Sequence, residues 1–156
     1  MSTTISSRVK ALGLELPKAG APAANYVPFV ITGNLVFLAG QICQWQGERR
    51  FIGKVGGAIS AEDGVKAAQL CGLNILAWIA EIVGDDFDRV TRCIRLGGFV
   101  NSTPDFVEQP RIVNGCSDLV VNVFGDKGRH ARTAVGTNVL PFDVAVEVEA
   151  IFEIRP

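Results

Sequence analysis

The residues best suited to do chemistry lie in the last quarter of the chain: Arg132, Glu147 and Glu149. From Val144 onward, Val144, Val146, Val148, Ala150, Phe152 and Ile154 alternate with Ala145, Glu147, Glu149 and Glu153. Period-two alternation of this length is a strand with one apolar and one polar face. Arg132–Thr137 reads as a shorter strand, and Asn138–Asp143, with Pro141, as a turn. Paired antiparallel around that turn, the two strands would set Arg132 opposite or diagonal to Glu147 and Glu149, within reach of long side chains. A guanidinium and a carboxylate held on rigid elements can grip an anionic substrate and steer a water molecule. On spacing alone, a cross-strand salt bridge is the more ordinary explanation of the same residues, because such pairs commonly decorate sheets.

Arginine suits a carboxylate because its planar fork makes two parallel hydrogen bonds, which fix orientation as well as position. Water attack then needs a base within hydrogen-bond reach, and a carboxylate serves. Beside Arg132, the pKa of Glu147 would be lowered by the cation and raised by burial. His130, the only histidine, precedes Arg132 by two residues and shares its face if the strand starts early enough. At a loop end it reads first as a solvated side chain.

The elements that must position these groups read as ββ(β)αβαββ. Ser6 or Ser7 caps a short helix toward Leu12, and Leu16–Asn25, rich in Pro, Ala and Gly, forms a tether. Residues 1–24 are thus an N-terminal helix and tether, and residues 25–156 the main domain. Val27–Ile31 and Leu35–Ile42, split by Thr32-Gly33-Asn34, form a hairpin. A third short strand is expected near Phe51. Ser60 caps a helix with Glu62 and Asp63 in its first turn, running to about Val83 and stopping at Gly84. Phe87–Val100 reads as a long strand, and Arg111–Phe124 as a second helix ending at Gly125. Two helices on one face of a mostly antiparallel sheet is an α+β solution, and packing sheets together in an oligomer covers the other face.

Composition bounds the function. The chain has 156 residues, 48% hydrophobic and 20% charged, with formal net charge −1. That suits one domain with its own core. No basic stripe exceeds the pair Arg49–Arg50, so the footprint of nucleic-acid binding is missing. Cys43, Cys71, Cys93 and Cys116 form no CxxC pair and stand with one histidine, which argues for free buried thiols rather than a zinc site. Gly53, Gly56 and Gly57 lack the spacing of a phosphate-binding loop. The N-terminus lacks a secretory pattern, and Leu70–Ala80 is too short to cross a bilayer. A cytoplasmic protein without membrane contact is expected.

Several segments in order carry a family resemblance: Asn25-Tyr26-Val27, Leu38-Ala39-Gly40-Gln41, Gly98-Phe99-Val100-Asn101, Val113-Asn114-Gly115, His130 to Gly136, Leu140-Pro141 and Val146 to Ile151. From about Asn25 to Ile154 the chain resembles the RidA/YjgF family of enamine and imine deaminases. The resemblance implies a chorismate-mutase-like fold, a homotrimer with sites at subunit interfaces, and hydrolysis of 2-aminoacrylate-type 2-imino acids to 2-oxo acids and ammonia. It implies neither metal nor cofactor. By similarity Arg132 binds the substrate carboxylate and Glu147 directs or activates water. Tyr26 and Asn114 would line the pocket at a subunit boundary, with backbone contacts from Gly40 and Ala134. Ala134 stands where the family commonly has a cysteine, which together with the N-terminal segment marks a divergent branch. A carboxylate-binding trimer without catalysis is the alternative, and ribonuclease, a label the family has carried, a distant third.

Overall fold

The computed structural model describes residues 3–21 and 24–156; Pro22 and Ala23, within the expected tether, lie outside the described residues. The elements in chain order are α1 (Ile5–Ala11), β1 (Phe29–Thr32), β2 (Leu35–Ile42), β3 (Gln44–Trp45), β4 (Glu48–Arg49), α2 (Ala61–Val83), β5 (Val90–Asn101), α3 (Gln109–Phe124), β6 (Ala131–Thr137) and β7 (Val146–Ile154). Local signals place most of them. The Ser60 hydroxyl accepts the Asp63 backbone N–H at 3.1 Å, and Gly84 ends α2 in the left-handed region at φ 65°. The cap of α1 is Thr4, with Ser7 completing a reciprocal capping box, rather than Ser6 or Ser7 itself. No strand forms at Phe51, which takes φ 57°; β3 and β4 make a small hairpin before it, and Ile52 makes one bridge to Val144. Phe87–Arg89 is a 3-10 turn capped by Asp86, so β5 starts three residues later than the apolar run suggests.

The five-stranded sheet has the order β1-β2-β7-β5-β6. Three of its four pairings are antiparallel, and β5 with β6 is parallel. The expected hairpin between β6 and β7 is therefore not formed, because β5 lies between them. Burial explains the order. The long β7, with Val146, Val148, Ala150, Phe152 and Ile154 buried, takes the centre, whereas the short, half-exposed β6 takes an edge. A 3-10 turn at Pro141–Asp143, with Phe142 and Asp143 at positive φ, carries the chain across the end of β5. Asn101, fully buried at that end, donates to Asp143 Oδ1 at 2.9 Å and the Val144 carbonyl at 3.1 Å, and accepts from Lys54 Nζ at 2.7 Å.

Both long helices lie on one sheet face, and α1 packs against them through fully buried Ile5 and Val9. Close approach of α2 and α3 depends on glycine. A Cβ on Gly115 would overlap the Val65 carbonyl oxygen, and one on Gly72 would lie 3.1 Å from Cys116 Sγ. By length and composition α2 is apolar enough to cross a membrane, but its apolar residues form the core between α3 and the sheet. The other sheet face is open and carries exposed Val30, Phe37 and Val135.

Candidate active site

Strand register decides which way each candidate side chain points. Arg132 pairs with Leu96, which pairs with Ala150; both partners are buried under the helices. Arg132 therefore projects to the helix side of edge strand β6. There its Nη1 donates to Asn114 Oδ1 at 2.7 Å and Ser117 Oγ at 3.1 Å, and its Nη2 to the Pro110 carbonyl at 3.3 Å. Pro110, Asn114 and Ser117 follow i, i+4, i+7 spacing, so one stripe of α3 supplies all three acceptors. All are neutral, and among the described residues no carboxylate pairs with Arg132. A guanidinium has five N–H donors. With both Nη1 hydrogens and one on Nη2 engaged, Nε–H and the second Nη2 hydrogen are left to receive a carboxylate.

Glu147 belongs to the opposite face. It pairs with Phe99 on one side and Ile42 on the other, and Phe99 in turn pairs with exposed Val135. The register of β2 shifts between Leu38 and Gln41, and this bulge brings Gly40 beneath Glu147. A Cβ on Gly40 would overlap Glu147 Oε1. Glu149, two residues on, lies over Gly97 in the same manner: a Cβ there would sit 2.8 Å from its Cγ. Burial first, and the neighbouring Glu149 charge second, raise the Glu147 pKa above the ordinary carboxylate value. A carboxylate so placed is a stronger proton acceptor than an exposed one.

Within one chain, then, the expected face-to-face arrangement of Arg132 with Glu147 and Glu149 does not exist, and neither does the salt bridge weighed against it. The candidates fall into two groups. Arg132, Asn114 and Ala134 share the helix side at the β6 edge. Glu147 sits over Gly40 on the open face, and Tyr26, half exposed, lies just before β1 at the opposite edge. The four cysteines are free and buried, and Ala134 leaves no thiol two residues after Arg132 on β6. Sequence reading missed Ser117 and Pro110, whose helical spacing to Asn114 was the available signal. It also missed the glycines beneath the two glutamates, which only long-range pairing brings there. His130 is half-buried and hydrogen-bonded rather than solvated.

A family model described as "YjgF/chorismate_mutase-like, putative endoribonuclease" matches residues 6–154. The chain belongs to the YjgF/RidA family. The match begins inside α1, so this helix is part of what the chain shares with the YjgF/RidA family. The Trypanosoma cruzi protein TCP17 is 43% identical over 160 residues, covering 99% of both chains. The crystal structure of Atu1372 from Agrobacterium tumefaciens, a protein of unknown function, is 45% identical with TM-score 0.90, covering 97% of this chain and 92% of that one. The Escherichia coli YjgF product is more distant, 27% identical with TM-score 0.61, over 90% of this chain and 98% of its own. Within the YjgF/RidA family the chain thus stands with Atu1372 and apart from the E. coli protein.

Proposed function

We propose that the protein is a hydrolytic deaminase of reactive enamines and imines, converting 2-aminoacrylate-type 2-imino acids to 2-oxo acids and ammonia. The observation that carries the reading is the unpaired Arg132 fork, held open by three neutral acceptors. The site is completed between copies in a homotrimer, where the helix-side group at β6 of one copy meets the open-face group of the next. Tyr26 and Arg132 belong to opposite sheet edges. An association joining one edge to the other is head-to-tail, and such contacts form a ring when the rotation between copies closes. Exposed Val30, Phe37 and Val135 are the apolar surface such a ring would cover.

The chemistry follows from the groups. Arg132 holds the substrate carboxylate side-on and so sets the imine carbon in place. Glu147 accepts a proton as water adds to the C=N carbon, forming the C–O bond of a carbinolamine. It returns that proton to the nitrogen, giving the amine, and then carries the hydroxyl proton to that amine as the C=O bond forms and the C–N bond breaks, releasing ammonia and the 2-oxo acid. Tyr26 and Asn114 line the pocket, and Gly40 and Ala134 offer backbone contacts. Imine hydrolysis is intrinsically easy, so positioning and one acid–base group suffice.

The test generates a 2-imino acid in situ and follows ammonia and 2-oxo acid. Wild-type protein should accelerate their release and Arg132→Ala should abolish the effect; equal rates with and without protein would reject the reading. The Arg132 fork also supports plain carboxylate binding, which calorimetry showing 2-oxo acid binding without turnover would select. RNA cleavage draws little support from a net charge of −1 and a single histidine engaged by Ser117 and Gly128.

A further inference from the structure

We propose that His130 is a positioning residue for the substrate carboxylate, acting through Ser117 to hold Arg132 in the rotamer that presents its free fork. This rests on the reading of Arg132 as the carboxylate anchor.

The argument is one of donors and acceptors. His130 Nδ1 lies 2.6 Å from the Gly128 carbonyl oxygen, which only accepts, so Nδ1 carries the hydrogen. In the neutral ring Nε2 is then a bare acceptor, 2.9 Å from Ser117 Oγ. The single hydroxyl hydrogen of Ser117 goes to Nε2, which turns the oxygen lone pairs toward Arg132 Nη1 at 3.1 Å. A helical serine commonly bends its hydroxyl back to the carbonyl four residues earlier; here the imidazole takes that hydrogen. The chain runs one way: Arg132 to Ser117 to His130 to Gly128.

The ends of this chain are clamped. A Cβ on Gly128 would lie 2.5 Å from the Val120 carbonyl oxygen and 2.9 Å from Val121 Cα, so the loop bearing His130 is pressed against α3. Ser117 is buried on that same helix. Helix and loop therefore act as one rigid support for a long side chain on an edge strand. Asn114 and Ser117 together saturate Nη1, and this leaves the Nε–Nη2 edge for the ligand. Without His130 the Ser117 hydroxyl is released to its own helix, and one of two fixed points on Nη1 is lost.

Two measurements on the full chain decide the matter. Long-range proton–nitrogen spectra of the neutral ring read the His130 tautomer, and the Arg132 Nε–H signal reports how firmly the guanidinium is held. The expected result is an Nδ1–H ring and a sharp Arg132 signal that broadens in Ser117→Ala and His130→Ala. An Nε2–H ring, or a signal equally sharp in every variant, overturns the proposal whatever the activity. In steady-state hydrolysis, each variant should raise KM about tenfold with kcat held within about twofold. The double variant should be no worse than Ser117→Ala alone, and His130→Gln, whose Oε1 can accept the same hydrogen, should recover most of the loss. Effects that multiply in the double variant overturn the proposal. Absence of both turnover and pyruvate binding in the wild-type protein strikes the deaminase reading instead, and the spectra then judge His130 alone.

Discussion

Arg132 and Glu147 project from opposite faces of one sheet, on strands separated by β5. No rotamer change brings the two together, so any pocket holding both takes them from different chains. Coexpressed Arg132→Ala and Glu147→Gln chains, each inactive alone, should regain about a quarter of wild-type turnover. That is the share of interfaces in a randomly mixed ring where an intact arginine meets an intact glutamate. No recovery in purified mixed oligomers would mean that the two groups do not share a pocket.

The raised pKa of Glu147 makes stability depend on pH with a definite sign. The folded state binds this proton more tightly than the unfolded state does. Stability therefore rises as pH falls from above the folded value through the ordinary carboxylate range. Above the folded pKa the ionised form carries its full desolvation cost. Glu147→Gln should accordingly raise the urea midpoint most on the alkaline side, with the gain shrinking as the solution is acidified. A gain that grows on acidification contradicts the assignment.

Two glycine substitutions should separate function from folding. The Cβ of Gly40→Ala meets a side-chain carboxylate that can swing aside. Turnover should fall more than about tenfold while stability changes by less than about 1 kcal/mol. The Cβ of Gly115→Ala meets the Val65 carbonyl and, at 3.1 Å, the Gln69 backbone nitrogen, neither of which can yield without moving a helix. That variant should lose about 2–3 kcal/mol by chemical denaturation.

Asn101→Ala should cost about 2–4 kcal/mol, since it strips partners from Lys54, Asp143 and the Val144 carbonyl at a fully buried position. Unfolding in urea measures the loss. Because Asn101 secures the crossing from β6 to β7, the truncation should also loosen the start of β7 and lower turnover through Glu147. Unchanged stability would mean that the crossing is held by the backbone alone.

Much of the fold was legible from short-range signals. Ser60 and Gly84 bracket α2, Gly125 ends α3, and the alternation after Val144 marks β7, each because a cap, a left-handed turn or a pleat acts over a few residues. The same alternation separated the buried Val146, Val148 and Ala150 from Glu147 and Glu149. Where a local signal was ambiguous, boundaries slipped: apolar Phe87 looked like strand but belongs to a capped 3-10 turn, and Phe51 adopts a positive φ that its residue type does not announce.

By itself the sequence determined which residues of β7 share a face and where the two long helices lie, since these depend on neighbours along the chain. It also carried the pattern of the family to which the chain belongs. Tertiary structure alone decided that β5 inserts between β6 and β7, that Arg132 leans on α3, and that Glu147 rests over Gly40. Strand order is settled by which arrangement buries the most apolar surface while pairing every backbone group, and that competition is played out between residues far apart in sequence.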